Sequence, residues 1–185
     1  MYYRIIFQQF CFLSIFFIAL TGCAGKYTPS ENMANLNVQF ADTLWNGVKV
    51  PDNQQCNKFG GNAETPSLKV SNIPLKANTL IVEYSDRDAS HMDNGGHGKV
   101  GYTIPSNTPV VTIPSIKGHT FELPENFFVV SPHANPSWDK AGAYMPPCSG
   151  GRGNRYYATV KAVYEAPEGQ QSELLGKGKI ELGKY

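Results

Sequence analysis

The sequence predicts a mainly β protein, a sandwich of antiparallel sheets, and three observations carry that prediction. Beyond about residue 42 the apolar residues recur with a period of two rather than 3.6. In Thr79–Ser85, Leu80, Val82 and Tyr84 share one face and Glu83 and Ser85 the other. Turn signals cut the chain into short runs: Ser71-Asn72, Asn94-Gly95-Gly96, Pro105-Ser106-Asn107 and Pro167-Glu168-Gly169. No long amphipathic helix pattern is present, and many short strands between Gly/Pro turns are the pattern of packed sheets.

Taken in chain order, the first element is an export signal over residues 1–22. Arg4 gives a basic start, residues 5–20 are mostly Ile, Phe, Leu and Cys, and Leu20-Thr21-Gly22-Cys23 closes the run. Gln8 and Gln9 interrupt it, which leaves it short of the ~20 apolar residues a membrane span needs. A Cys after a small residue at this place resembles the lipobox of bacterial lipoproteins. That resemblance implies lipidation of Cys23, with palmitate-type acyl chains, after cleavage before it. Ala24 in place of Asp then implies sorting to the outer membrane, facing the periplasm. Residues 23–41 are polar and mixed, with Pro29 and several Asn, and read as a flexible tether. The folded domain is expected over 42–185, with strands at Leu68–Ile73, Thr79–Ser85, Lys99–Ile104, Val110–Ile113, Phe127–Val130, Tyr156–Tyr164 and Lys179–Leu182. Residues 114–126 and 131–155 remain irregular, and long loops of that kind are where function concentrates.

Composition removes several classes of function. Sixteen basic residues against fifteen acidic give a net charge of +1, without the basic stripe of a nucleic-acid binder. At 41% hydrophobic residues the chain is too apolar to be disordered. Of the four cysteines, Cys11 lies in the signal and Cys23 would carry lipid. Cys56 and Cys148 are left in an oxidising compartment, where a disulfide is expected; two separate buried thiols are the alternative.

Chemistry gathers at two places. The first runs from Ser85 through Asp86, Asp88, His91 and Asp93 to Gly95-Gly96-His97-Gly98. Asp86 ends one strand and His97 opens the next, so a hairpin-like return can set them side by side, with the carboxylate favouring a protonated ring. The same spacing also suits a solvated loop in which the aspartates cap turns. The second place is Pro146-Pro147-Cys148-Ser149-Gly150-Gly151-Arg152-Gly153-Asn154-Arg155-Tyr156. Its glycines can turn backbone N–H groups toward an anion, and two arginines add charge; a plain tight loop fits equally. Asp86, Asp88 and Asp93 lack EF-hand spacing, the four histidines lack zinc spacing, and no nucleophile elbow or phosphate-binding loop is present. No metal and no cofactor are therefore expected. His133 and Trp138 lie in a segment that reads as a packed loop, with Trp138 its apolar anchor.

The order of these segments resembles the phosphatidylethanolamine-binding protein family, in its bacterial Raf-kinase-inhibitor-like branch, over roughly residues 43–185. Asp86-Arg87-Asp88-Ala89-Ser90 matches that family's Asp-Pro-Asp-Ala-Pro at both acids and Ala89, and His97 matches its following His. Pro147-Cys148 matches the centre of its Gly-Pro-Cys-Pro-Pro loop, and Gly153-Asn154-Arg155-Tyr156 matches Gly-x-His-Arg-Tyr except at one position. Thr65-Pro66-Ser67-Leu68, Ile73-Pro74, Cys56 and the closing Leu182-Gly183-Lys184-Tyr185 also fit. The departures are Arg87 and Ser90 for Pro, Gly98 for Trp, Ser149-Gly150 for Pro-Pro, and Asn154 for the second His. The resemblance implies an antiparallel β-sandwich with short peripheral helices and a small pocket that accepts anionic groups. It implies a binding or regulatory protein rather than an enzyme. The implied ligand-binding residues are Asp86, Asp88, His97, Pro147, Gly150, Asn154, Arg155 and Tyr156. The expected partners are a small anionic or polar ligand and the membrane through the N-terminal lipid. The second reading is an inhibitor or regulator of an envelope protease or other protein.

Overall fold

The period-two runs become strands in a computed structural model that describes residues 26–185. The signal segment and Cys23 lie outside the described residues. Nine strands are formed among those described: β1 (Tyr27–Asn35), β2 (Asn37–Phe40), β3 (Leu68–Ser71), β4 (Thr79–Asp86), β5 (Lys99–Thr103), β6 (Val110–Ile113), β7 (Phe127–Ser131), β8 (Arg155–Tyr164) and β9 (Ser172–Lys184). They make a six-stranded sheet in the order β1-β9-β8-β4-β5-β7 and a three-stranded sheet in the order β2-β3-β6. Most neighbours are antiparallel, but β1 runs parallel to β9, so the larger sheet is mixed. In place of short peripheral helices the described residues carry two 3₁₀ turns, Asn57–Phe59 and Ser90–Met92.

The tether expectation needs correcting, because residues 27–40 fold into β1 and β2. β1 is an edge strand whose side chains mostly face solvent. It is held by backbone pairing to β9, which asks nothing apolar of its sequence. Between the two strands Leu36 drops into the core and its N–H donates to the Lys177 carbonyl at 3.0 Å. β9 is also far longer than Lys179–Leu182, because Gly176 and Gly178 hide its alternation. A Cβ at Gly178 would lie 2.6 Å from the Leu36 carbonyl oxygen, so this position must stay bare for the N-terminal strands to dock.

The inner faces of the two sheets meet in one core: Leu80, Val82 and Tyr84 from β4, Ala158, Val160 and Ala162 from β8, Leu68 and Val70 from β3, and Ile113 from β6. β4 is central, and even its polar face is covered. Glu83 is buried beneath Lys161 and Lys99, at 2.7 and 3.5 Å. A smaller cluster of Met92, Met145, Cys56 and Cys148, with Phe59 and Ala89, sits at one end. Cys56 and Cys148 are disulfide-bonded there, Cα to Cα 5.2 Å, as the sequence led one to expect.

Candidate functional site

The β4–β8 ladder pairs Asp86 with Tyr156, so the last residue of β4 stands beside the point where the glycine loop ends and β8 begins. The chain returning from β4 to β5 extends that sheet by two bonds. The N–H of His97 donates to the Tyr84 carbonyl, and the N–H of Tyr84 to the Gly98 carbonyl, both at 3.0 Å. His97 is thereby laid alongside the end of β4. Gly98 is required by this close approach: it has φ +118°, and a Cβ would fall 2.1 Å from the Ala143 carbonyl oxygen. A bulky ring at this position, which the family resemblance would lead one to expect, has no room here.

Asp86, His97 and Asn154 face one cavity of about 170 Å³. It is lined by Met92, Met145, Ala89, Trp138, Cys148 and the buried Ser149, and His91, Asn135 and Arg152 are among its more exposed lining residues. Asp86 is buried, with one carboxylate oxygen accepting from the Asp88 N–H (2.9 Å) and the other from the Asn154 side-chain amide (2.7 Å). His97 is buried too. Its Nδ1 meets the Met145 carbonyl at 2.7 Å, which assigns the proton to Nδ1, and Nε2 makes no hydrogen bond to the described residues. Tyr156 packs edge-on against the His97 ring at 5.3 Å and supports it from behind.

The electrostatics overturn one expectation. Burial pushes the His97 pKa down to about 4, outweighing the Met145 carbonyl and the Asp86 carboxylate, which both raise it. At neutral pH the ring is uncharged, so Asp86 does not hold it as an imidazolium. The inner end of the cavity therefore offers acceptors, the Asp86 carboxylate and His97 Nε2. The one guanidinium in its lining, Arg152, stands at the exposed mouth.

Other residues singled out in the sequence are placed elsewhere. Asp88 and Arg155 clasp each other on the outside through side chain and backbone, and this pairing drops the Asp88 pKa to about 2. Neither lines the cavity. Pro147 packs behind it with Tyr84 and Leu182. Gly150 lies against the Phe59 ring rather than facing the cavity. The glycine loop is bonded at its ends, while the N–H groups of Ser149, Gly150, Gly151 and Arg152 make no hydrogen bond to the described residues. Cys148 N–H donates to Tyr156 Oη (3.2 Å), Gly153 N–H to the Tyr185 main-chain oxygen (2.8 Å), and Arg155 N–H to Asp88 (2.7 Å).

The apolar lining was not foreseen. Trp138, read as a loop anchor, closes one wall and donates from Nε1 to the Cys148 carbonyl at 3.2 Å. The one signal that could have found it is its place in the long irregular stretch 131–155. Met92 and Met145 carry no local signal, since methionine packs almost anywhere.

No family model matches the chain, and neither does any curated protein. Among solved structures, Escherichia coli YbcL, described as a member of the mammalian phosphatidylethanolamine-binding protein family, shares 18% identity with it. It aligns over 82% of this chain and 98% of its own, with a TM-score of 0.51. A Chlamydia trachomatis protein described as a homolog of the phosphatidylethanolamine-binding protein aligns over 82% of this chain and 97% of its own, at 16% identity and a TM-score of 0.49. The likeness to YbcL shows the fold that the sequence motifs resemble.

Proposed function

We propose that this chain is a non-catalytic binding protein of the bacterial envelope, whose cavity takes one small polar molecule with an anionic end. The observation that carries the reading is the polarity of the cavity along its depth. Acceptors from Asp86 and His97 lie at the buried end, the Asn154 amide lies beside them, and a guanidinium stands at the mouth. A donor-bearing group such as an ammonium or hydroxyl fits inward, and a phosphate or carboxylate fits outward against Arg152. The volume is close to that of a cavity which holds one benzene-sized molecule, ~150 Å³. The binding reading is favoured over catalysis because no activated nucleophile faces the cavity among the described residues. Ser149 Oγ donates to the Tyr185 main-chain oxygen at 2.5 Å, and Cys148 is tied in a disulfide. Regulation of a protein partner is the weaker reading. The loops over 114–145 expose only Phe121 and Trp138 among their large apolar side chains, far from a patch of several hundred Å².

Anchoring at the outer membrane rests on Arg4, the apolar run and Gly22-Cys23, and the disulfide agrees with an oxidising compartment. Cys23→Ser should release the protein from the membrane fraction or leave it unprocessed; unchanged fractionation and mass would reject the anchor. For the cavity, calorimetry should rank an aminoalkyl phosphate above both inorganic phosphate and the free amino alcohol. Arg152→Ala should weaken the first two about tenfold and leave the third unchanged. Equal binding of all three by both proteins would reject the reading.

A further inference from the structure

Behind the cavity wall, the disulfide stands beside a carboxylate for which the proposed ligand has no use. The Sγ atoms of Cys56 and Cys148 and a carboxylate oxygen of Asp139 all lie within 4.8 Å of one another. Asp139 Oδ2 is 3.8 Å from Cys148 Sγ and accepts the Lys58 N–H at 3.2 Å, and Oδ1 accepts the Lys140 N–H at 2.7 Å. His119, itself buried, donates from Nδ1 to the Lys140 carbonyl at 3.0 Å, and its Nε2 accepts the Asn57 N–H at 3.2 Å and lies 3.4 Å from Asp139 Oδ2. Three elements far apart in sequence thus converge: the loop after residue 50, the stretch 131–155 and the segment carrying His119.

We propose that this cluster is a redox-gated metal site: when the Cys56–Cys148 disulfide is reduced, the two sulfurs and Asp139 bind a zinc-class divalent cation, with His119 Nε2, beside Asp139, as the fourth ligand. The donor set is two thiolates and a carboxylate, with the remaining position taken by His119, and that is zinc chemistry. His119 has the arrangement of a metal-ligating imidazole, with Nδ1–H on the Lys140 backbone carbonyl and Nε2 unprotonated. Charge gives the driving force. Two thiolates and a carboxylate in a buried pocket repel one another, and a divalent cation cancels most of that charge. The chemistry balances. A dithiol or phosphine reductant supplies two electrons and is itself oxidised, the S–S bond breaks, and two protons give two thiols. Each thiol then releases its proton to solvent as its sulfur takes the metal. Disulfide and metal exclude each other, so the oxidised protein holds no metal here.

The test uses Co²⁺ and Zn²⁺ on the mature chain before and after reduction with a phosphine. Reduced protein should take up one equivalent of Co²⁺ with thiolate-to-cobalt charge-transfer and tetrahedral bands, and oxidised protein none. Zn²⁺ affinity, read by chelator competition, should fall at least tenfold in Asp139→Asn, and about ten- to hundredfold in His119→Gln. Should reduction loosen the fold, Zn²⁺ should restore the near-ultraviolet circular dichroism of the wild type and not of Asp139→Asn. Reduced wild type that binds no metal would overturn the proposal. So would equal affinity in wild type and Asp139→Asn, since an unfolded dithiol alone would then account for the binding.

Discussion

Acidification should destabilise this fold through one ring. His97 is 2% exposed and titrates at about 4 instead of its ordinary 6.5, because burial strips water from the charged form. As pH falls, the unfolded chain takes up the proton first. The stability His97 contributes is therefore intact above about 6.5 and is lost progressively down to about 4. A difference of two to three pKa units corresponds to about 3 kcal/mol, a large share of a typical domain's 5–15 kcal/mol. In urea that loss moves the unfolding midpoint down by roughly 1–3 M. The groups that face this ring are Asp86, His91 and His133, and burial also lowers the His133 pKa. The Asp88 window lies lower, from 3.8 to about 2. Comparison with His97→Gln isolates the term, because these other groups stay in both proteins. The wild type should lose about 3 kcal/mol more than the variant between pH 7.5 and pH 4. The His97 ring should meanwhile add no pH dependence of its own to ligand affinity from pH 6 to 8, since it is neutral throughout. Equal losses in both proteins, or a folded-state NMR titration of the His97 ring centred near 6.5, would refute the reasoning.

Asn154→Ala removes the amide that donates to Asp86 at 2.7 Å and should cost about 1–3 kcal/mol in urea unfolding, with weaker ligand binding in calorimetry. Gly98→Ala places a methyl 2.1 Å from the Ala143 carbonyl at φ +118°. A loss of about 4 kcal/mol or more is expected, seen as a lower melting temperature or insoluble expression. Reduction of the disulfide, which closes a separation of 92 residues, should cost about 4–5 kcal/mol by the chain-entropy model when measured in metal-free buffer.

Much of the fold was legible because it rests on local alternation. The runs at 68, 79, 99, 110, 127 and 156 begin within a residue of the strands that form, since apolar faces with a period of two can be buried in only one way. β1 and β2 were missed because edge pairing is a backbone property that leaves no apolar trace. The ends of β4 and β5 were also readable, but the return over residues 87–98 was long enough to suit a solvated loop as well, and only its bonds to Tyr84 bring His97 to the end of β4. The outward pairing of Asp88 with Arg155 was not, since two charges at one strand end can turn either way and the sequence does not say which side is filled.

The sequence by itself determined the β architecture through its period-two runs; it allowed Asp86 to meet His97 and Cys56 to pair with Cys148 without requiring either, and Asn154 joined them only through the family resemblance. Only the tertiary structure decided the charge of His97, the apolar lining from Met92, Met145 and Trp138, and the closeness of Asp139 to the disulfide. Those properties depend on how much water and how many atoms from distant segments surround each group, and burial is a sum over the whole fold that no stretch of chain carries alone.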